Sequence, residues 1–293
     1  MEQIAVIGVG RMGSAAVRAL AAAGHRVRCF DVSAEAMTAL ADFASPSGSV
    51  AEAAADADLV LLSLRGPDDV AEVTATLRDS MRDGSIVADL STVDPETSRA
   101  AAATLAAAGV AYLDAPVLGR PERAGVWTIP CGGDADAVRR AAGVLEGTIA
   151  QRVVHVGASG SASVLKLMNN LMLGAINGIT AEALAVCSAA GLDPGVFVDV
   201  VADSGAASVS PMFRDIAPRI VDGDFTPTFT VGLMHKDNRL AVEVAERAGV
   251  PLVVGRAVDE LNRRALDDHR DEDSCAVVKL FEAATGMPAR RQA

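Results

Sequence analysis

The stretch "AVIGVGRMGSAAVRALAAAGHRVRCFD" at residues 5–31 decides the fold of this chain. A short apolar run predicts a strand, and Gly8, Gly10 and Gly13 follow it with the spacing GxGxxG. An alanine-rich segment then predicts a helix, and a second apolar run ends at Asp31, 18 residues past the last glycine. A strand, a glycine turn, a helix and a second strand with a terminal acid are the fingerprint of a dinucleotide-binding βαβ unit.

Each part of this stretch has a physical role in that interpretation. Gly8 permits the tight turn, Gly10 lets the backbone approach a pyrophosphate, and Gly13 lets the helix pack closely on the strand. The helix N-terminus presents unpaired N–H groups and the positive end of its dipole to the phosphates. The Asp31 carboxylate would accept hydrogen bonds from ribose hydroxyls and repel a 2′-phosphate, which favours NAD over NADP. The alternative is a glycine turn with a structural role only.

Composition limits the class of protein. Of the 293 residues, 51% are hydrophobic and only 3% are aromatic, so the core consists mainly of Ala, Val and Leu. Such a core favours helices and buried parallel strands over a barrel. The net charge of −12 argues against nucleic acid and anionic membrane surfaces as partners.

The chain has the features of a cytoplasmic protein. Its four cysteines are far apart in sequence and predict free thiols rather than disulfides or a zinc site. We predict no signal peptide, because a strand-like run begins almost at the N-terminus. The longest apolar helical stretch, residues 167–181, is shorter than the roughly 20 residues of a membrane span.

The first half of the chain alternates between predicted strands and predicted helices, which indicates a parallel sheet covered on both faces. The strands are predicted at Ile4–Gly8, Arg26–Phe30, Leu59–Ser63, Ser85–Asp89, Ala111–Asp114, Val126–Cys131 and Arg152–Val156. The helices between them are predicted at Met12–Ala23, Ala34–Phe43, Asp68–Leu77, Pro95–Ala108 and Asp134–Leu145.

Beyond Gly157 the pattern becomes helical throughout. We therefore predict an α/β protein with a doubly wound sheet domain at residues 1–157 and an all-α domain at residues 158–293. A long helix joins the two domains. The helices are predicted at Gly160–Ala190, Pro194–Asp203, Pro211–Val221, Lys236–Ala248, Leu252–Leu266 and Ser274–Ala283.

The long helix carries the most informative polar residues. Lys166, Asn170, Gly174 and Asn177 share one face, because they are four, four and three residues apart in an otherwise apolar segment. A lysine that loses hydration becomes a usable acid–base group near neutral pH. The alternative is a lysine that extends to solvent, with amides that only pack against the first domain. The four histidines have no metal-ligand spacing, so we predict no metal site.

Five motifs occur in order along most of the chain, and together they resemble the β-hydroxyacid dehydrogenase family. This family includes 3-hydroxyisobutyrate dehydrogenases and tartronate semialdehyde reductases. No single motif is specific, but the ordered set is. The motifs are GxGxxG with Asp31, "DLST" at 89–92, "DAPVLG" at 114–119, "GxxGxxxxxKxxNN" at 157–170 and "KDNRLA" at 236–241.

The resemblance implies a Rossmann-type domain followed by a helical domain that makes the oligomer, a homodimer or homotetramer. It implies that Lys166 is the catalytic acid–base and that Asn170 holds the substrate or orients the lysine. It also implies a set of cofactor-binding residues, with Lys236 near the nicotinamide: Gly8, Gly10, Arg11, Met12, Gly13, Asp31, Leu64, Arg65, Thr92 and Lys236.

The sequence departs from the family pattern in the motif that concerns the substrate and at one cofactor-binding position. Where the family commonly has Ser-Gly-Gly, this chain has Leu118, Gly119 and Arg120. Arg120 can clamp a substrate carboxylate in place of the missing hydroxyl. Alternatively, it faces solvent or a cofactor phosphate, and the pocket takes a less polar substrate. Arg65 also departs, because the family often has proline there.

Three functions follow, and the first is our leading hypothesis. It is an NAD-dependent oxidoreductase acting on a small 3-hydroxy acid or its semialdehyde. The second is an imine reductase or reductive aminase, which Asp31 disfavours because those enzymes commonly use NADPH. The third is a non-catalytic NAD-binding dimer. NADP stays the alternative cofactor, because Arg11, Arg28 and Ser33 lie close enough in sequence to Asp31 to offset its charge.

Overall fold

The computed structural model of the protein describes residues 3–204 and 210–291. It divides into two compact units, Met1–Lys166 and Leu167–Ala293. The sequence predicts the boundary at residue 157, whereas this division falls inside the long helix. The reason is that the first turn of this helix is hydrogen bonded to Asp114 in a strand of the first unit.

The first unit is a Rossmann-type sheet with helices on its faces. Its strand order is β3-β2-β1-β4-β5-β6-β7-β8. The strands are β1 Gln3–Ile7, β2 Arg26–Phe30, β3 Ser45–Pro46, β4 Leu59–Leu62, β5 Ile86–Asp89, β6 Ala111–Asp114, β7 Trp127–Gly132 and β8 Ala150–Gly157. The helices are α1 Arg11–Ala22, α2 Ala34–Thr38, α3 Val50–Ala54, α4 Pro67–Ser80, α5 Pro95–Ala106 and α6 Ala135–Leu145.

The sheet differs from the prediction in three respects. β7 runs antiparallel to β6, because residues 115–126 form a loop with a 3₁₀ turn instead of a crossover helix. The helix predicted to reach Phe43 ends at Thr38. The short elements β3 and α3 follow it and were not predicted, since neither is long enough to show a hydrophobic period.

Alternating residues of the strands form two separate cores. Ile4 and Val6 of β1 belong to the core under α1 and α6, whereas Ala5 and Ile7 belong to the core under α3, α4 and α5. All four residues of β4 are buried, because both faces of the sheet are covered by helices. This burial explains why the strands read as continuous apolar runs.

The second unit is all-helical among its described residues. Its helices are α7 Ser161–Ala189, α8 Pro194–Ser204, α9 Pro211–Asp222, α10 Val231–Arg247, α11 Val254–His269 and α12 Val278–Thr285, with a 3₁₀ turn at Ser274–Val277. α10 starts five residues before its predicted start at Lys236, because the Thr230 hydroxyl accepts the Leu233 N–H at 3.2 Å and caps the helix.

The helix α7 is longer than the apolar stretch predicted at residues 167–181. By length and composition alone it could cross a membrane, and 44% of its most apolar window is buried inside the protein. The core helix of a soluble protein passes the same test. Within the second unit, the Asn177 amide donates to the Ser274 carbonyl oxygen at 2.6 Å, a contact that a helix packed in a protein core makes.

One buried carboxylate connects the loops of the helical unit. Asp273 accepts hydrogen bonds from the backbone N–H and the hydroxyl of Thr228 at 2.8 and 2.7 Å, and it forms an ion pair with Arg219 at 3.0 Å. Burial by itself raises the pKa of Asp273, but these donors lower it to about 2. The ionised carboxylate is therefore part of the folded structure.

Because the native pKa of Asp273 lies below its unfolded value, its contribution to stability is complete above about pH 4 and is lost as the pH falls toward 2. We expect it to supply about 2 kcal/mol of the free energy of unfolding near pH 7. Asp273→Asn should lower stability at pH 7 and flatten its decline between pH 5 and pH 3, measured by urea unfolding. Asp271→Asn, at an exposed residue, is the matched control and should keep the wild-type dependence of the unfolding free energy on pH. The same pH dependence in Asp273→Asn as in wild type would contradict the prediction.

Candidate functional site

The glycine loop between β1 and α1 is built for close approach. Gly8 has a φ of +85°, and a Cβ there would lie 2.3 Å from the Ser63 carbonyl oxygen. A Cβ on Gly13 would lie 2.0 Å from the Gly8 carbonyl oxygen, so α1 packs directly on the strand. Gly10 has open space where its side chain would be. The first and third glycines are thus required by the protein itself, and the second leaves its backbone open to a ligand.

The N-terminus of α1 is suited to an anion. Its cap residue, Gly10, makes no side-chain hydrogen bond to the helix, and its first turn carries no acidic residue. By contrast, the hydroxyl of Ser33 and the carboxylates of Asp94 and Asp134 cap α2, α5 and α6. The first N–H groups of α1 and its dipole therefore fit the pyrophosphate of a dinucleotide.

Asp31 ends β2 beside this loop. Its carboxylate accepts the Val9 N–H at 2.7 Å through one oxygen and the Ser33 N–H at 2.8 Å through the other. It therefore holds the glycine loop in place, and each oxygen keeps a second lone pair for a ribose hydroxyl. Arg65 interacts electrostatically with Asp31 and forms two hydrogen bonds with Asp69, at 2.8 and 2.9 Å.

The other residues of the first unit that are predicted to bind the cofactor also lie at the ends of their elements. The Leu64 N–H, just after β4, donates to the Ser91 hydroxyl at 2.8 Å, and Thr92 follows Ser91 after the neighbouring strand β5. Arg11 and Met12 begin α1. In parallel sheets of this class, ligands bind at the carboxyl ends of the strands. Together with the glycine loop, these residues fit a bound dinucleotide.

The loop after β6 contains the sequence that departs from the family pattern. Leu118 pairs with Thr128 of β7 through two backbone hydrogen bonds, so its N–H is not available to a substrate. Gly119 lies against Trp127, whose indole N–H donates to the Arg120 carbonyl oxygen at 2.7 Å. The backbone of this loop is thus held by β7, and the Arg120 residue is exposed.

Lys166 lies in the second turn of α7 and is half-buried. Its ammonium nitrogen donates to the Val117 carbonyl oxygen at 2.8 Å. Val117 directly precedes Leu118, so the Lys166 nitrogen lies at the base of the loop at residues 118–120. This bond fixes the position of the ammonium group, which carries three exchangeable hydrogens.

Asp114 was named in a motif by the sequence analysis but received no role there. It is 1% exposed at the end of β6, and its two oxygens accept the N–H groups of Gly160 at 2.8 Å and Ser163 at 2.9 Å. Burial raises the pKa of Asp114, and these backbone donors oppose the rise. Its carboxylate therefore caps α7 from a distant strand. An acid at the end of a buried strand is the signal that could have identified it.

A chain of buried hydroxyl groups begins at Asp89, which ends β5. Tyr112 donates to Asp89 at 2.8 Å and interacts with the Ser98 side chain, and the hydroxyl oxygens of Ser98 and Ser163 are 2.8 Å apart. Burial raises the pKa of both Asp89 and Tyr112. The chain therefore connects the end of β5 to the first turn of α7.

In the helical unit, Asn170 and Lys236 are connected by a residue that the sequence analysis did not single out. Asp237 is 2% exposed. Its carboxylate accepts a hydrogen bond from the Asn170 side-chain amide at 2.6 Å and forms an ion pair with Lys236 at 3.0 Å. Two of the predicted functional side chains thus share one buried carboxylate. Its place between Lys236 and Asn238 in the "KDNRLA" motif was the available signal.

Comparison with known proteins assigns the two halves of the chain. Residues 3–157 match the family described as the NAD binding domain of 6-phosphogluconate dehydrogenase. Residues 160–281 match the family described as NAD-binding of NADP-dependent 3-hydroxyisobutyrate dehydrogenase. The chain belongs to the β-hydroxyacid dehydrogenase family. This finding confirms the resemblance carried by the five motifs.

The relatives in this family differ in their substrates. The chain is 33% identical to 3-sulfolactaldehyde reductase of Escherichia coli, covering 99% of both proteins. It is also 33% identical to L-threonate dehydrogenase of Cupriavidus necator, covering 96% of both. The structure of 3-hydroxyisobutyrate dehydrogenase of Mycobacterium tuberculosis with L-serine is similar with a TM-score of 0.87 and 30% identity, covering 96% of this chain and 99% of that one. This β-hydroxyacid dehydrogenase is accordingly an oxidoreductase that acts on a CH–OH group with a nicotinamide cofactor.

Proposed function

We propose that this protein is an NAD-dependent dehydrogenase of a small 3-hydroxy acid resembling 3-hydroxyisobutyrate, or a reductase of the corresponding semialdehyde. The observation that carries the proposal is the 2.8 Å hydrogen bond from Lys166 to the Val117 carbonyl oxygen. It holds an amine at the base of the loop that contains Arg120. The candidate proton-transfer group is thus bonded to the same loop that carries Arg120, a residue whose side chain can recognise an acid.

In this proposal Lys166 is the acid–base. A bound oxidised nicotinamide supplies the hydride acceptor. As the hydride leaves the alcohol carbon, the neutral Lys166 amine accepts the hydroxyl proton, and the alcohol becomes a carbonyl. In the reverse direction the Lys166 ammonium returns this proton to the carbonyl oxygen. Asn170, oriented by Asp237, would hydrogen bond to the substrate, and Lys236 would approach the nicotinamide.

We propose NAD as the preferred cofactor. Asp31 carries its charge where a ribose 2′-phosphate would bind, and its bonds to the Val9 and Ser33 N–H groups hold the carboxylate in that place. Arg65 offsets part of this charge, but it is already paired with Asp69. The repulsion of a 2′-phosphate therefore remains.

We propose that Arg120 recognises the acid group of the substrate. The Leu118 N–H, which could otherwise bind a carboxylate, is committed to Thr128, and leucine has no hydroxyl. A guanidinium makes two parallel hydrogen bonds to a carboxylate or a sulfonate. Both kinds of acid are represented by the substrates for which the relatives are named.

A substrate panel with Lys166 variants tests the function. Lys166→Ala should lower kcat by about 10²–10⁴-fold, because it removes proton transfer from the chemical step. Lys166→Arg should be equally slow, since a guanidinium keeps the charge but does not give up its proton. The assays use 3-hydroxyisobutyrate, L-serine and L-threonate with NAD and with NADP, and NADH affinity is measured by fluorescence. NAD should support the faster turnover.

The control is Lys279→Ala, which removes a lysine of α12 that forms an ion pair with Glu272. This variant should keep wild-type kcat. Wild-type turnover in Lys166→Ala would contradict the acid–base role. Reduction of 1-pyrroline with NADPH, without oxidation of any hydroxy acid, would identify an imine reductase instead. A rise in melting temperature with NAD but no turnover of any compound would identify a non-catalytic NAD-binding protein.

The Arg120 proposal predicts a selective loss. Arg120→Ala should raise KM for the best hydroxy acid by about 10–100-fold, the worth of a charge-assisted bidentate contact. Turnover of the uncharged 2-methyl-1-propanol should stay the same, because it has no acid group. Arg123→Ala removes a neighbouring exposed arginine and serves as the control. An unchanged KM in Arg120→Ala would show that the guanidinium does not bind the acid.

We also propose that the protein is a cytoplasmic dimer associating through α7. Met172, Ile179 and Val186 are 66%, 61% and 66% exposed and follow one another at intervals of seven residues. This spacing places them on one stripe of the helix. An exposed apolar stripe on a helix is stabilised by burial against a second copy.

Charges in the stripe should abolish the dimer. We expect wild type to sediment as a dimer and the Met172→Glu, Ile179→Glu double variant as a monomer in sedimentation velocity. Val253→Glu introduces a charge at an 83% exposed residue outside α7 and should remain dimeric. A monomeric wild-type protein at micromolar concentration, or a dimeric double variant, would refute the interface.

A further inference from the structure

Asp114 makes an unusual helix cap. The first four N–H groups of a helix lack partners within the helix, and a residue next to it in sequence normally satisfies one of them. At the start of α7, the N–H groups of Gly160, just before the helix, and of Ser163, in its first turn, instead donate to Asp114. This buried carboxylate lies 46 and 49 residues earlier in the chain. The position of the first turn of α7 is therefore set by the end of β6.

The same strand end also receives Lys166. Val117 follows Asp114 by three residues, and Lys166 follows Ser163 by three residues, one turn later in α7. The Asp114–Ser163 hydrogen bond of 2.9 Å and the Lys166–Val117 hydrogen bond of 2.8 Å thus join the same two segments at two points. Two such points restrict both the translation of the first turns of α7 and their rotation about the helix axis.

We propose that Asp114 is a positioning residue that sets the location of the Lys166 amine through the N-terminal turn of α7. This inference rests on the proposed acid–base role of Lys166. Asp114 itself is 1% exposed at the end of β6, where its carboxylate is bonded to backbone N–H groups. Its effect on the reaction passes through α7.

The surroundings of Asp114 leave the carboxylate little freedom. A Cβ on Gly132 would lie 2.5 Å from its Oδ1 atom and 2.8 Å from the Ala158 carbonyl oxygen. A glycine is therefore needed beside the carboxylate. Gly132→Ala offers a second way to move the carboxylate without removing its charge.

Asp114→Asn is the primary test. An asparagine keeps the size of the side chain but turns an NH₂ group toward one of the two N–H groups, so one hydrogen bond is replaced by a donor–donor contact. We expect kcat to fall by about 10–100-fold, because displacements near 1 Å have effects of this size on proton and hydride transfer. NADH affinity should stay within about twofold of wild type, because the glycine loop is untouched.

The matched control is Ser98→Ala. It removes the hydroxyl that lies 2.8 Å from the Ser163 hydroxyl, at the same turn of α7, but it leaves the Ser163 N–H bonded to Asp114. Both variants should melt at a lower temperature than wild type. Only Asp114→Asn should lower kcat, measured on the best hydroxy acid of the panel at a temperature where both variants are folded.

A spectroscopic measurement follows Lys166 without any substrate. The chain has three lysines, Lys166, Lys236 and Lys279, so protein labelled with ¹³C-lysine gives Cε–Hε correlations from only three side chains. The Lys166→Arg variant assigns one of them. We expect this correlation to move in Asp114→Asn and in Gly132→Ala and to stay in place in Ser98→Ala.

The outcomes separate this inference from the proposed function. If Asp114→Asn melts at a lower temperature but keeps both wild-type kcat and the Lys166 correlation, Asp114 is structural only and the inference fails. If Lys166→Ala keeps wild-type turnover, the acid–base role fails, whatever the correlation shows. If both roles hold, the Lys166→Ala, Asp114→Asn double variant should be no slower than Lys166→Ala alone. If Asp114→Asn does not fold, kcat and the Lys166 correlation are measured in Gly132→Ala instead, with the same expected changes.

Discussion

Aspartates at the carboxyl ends of the strands organise the first unit. Asp31, which follows β2, accepts hydrogen bonds from one backbone N–H after β1 and one after β2. Asp114, at the end of β6, accepts one from the residue before α7 and one from the first turn of α7. Between them, Asp89 accepts the Ser91 N–H and the Tyr112 hydroxyl after β5. Loops at this edge have N–H groups that the sheet cannot pair, and an unpaired buried N–H is costly. The aspartates pair these groups and so fix the loops from which a dehydrogenase binds its ligands.

The same solution recurs in the helical unit, but with cationic partners. Asp273 pairs with Arg219 and with the loop at Thr228, and Asp237 pairs with Lys236 and Asn170. A buried carboxylate needs either backbone donors or a cation, because burial alone opposes its charge. Where the partner is a lysine or an amide that can reach a substrate, the same pair that stabilises the fold also orients a functional group.

The sequence was informative wherever one residue type is required by local geometry. A GxGxxG turn with Asp31 predicts the cofactor loop, since substituting Gly8 or Gly13 would bring atoms within 2.3 Å of each other. Long apolar runs predict the strands, because both faces of the sheet are buried. The elements that were missed, β3 and α3, are too short to show a period. The strand β7 was predicted, but its antiparallel direction was not, because nothing local distinguishes a loop that reverses direction from one that does not.

By itself, the sequence determined the fold class and the dinucleotide loop, because spacing along the chain specifies them, and it made Lys166 a candidate acid–base. Only the tertiary structure decided which backbone groups of residues 118–120 are hydrogen bonded within the protein. The Leu118 N–H is committed to Thr128, and Trp127 holds the Arg120 carbonyl, through contacts between strands. It also decided that Asp114 caps α7. Hydrogen bonds between residues 46 or 49 positions apart leave no trace in local spacing, since only folding brings such residues together.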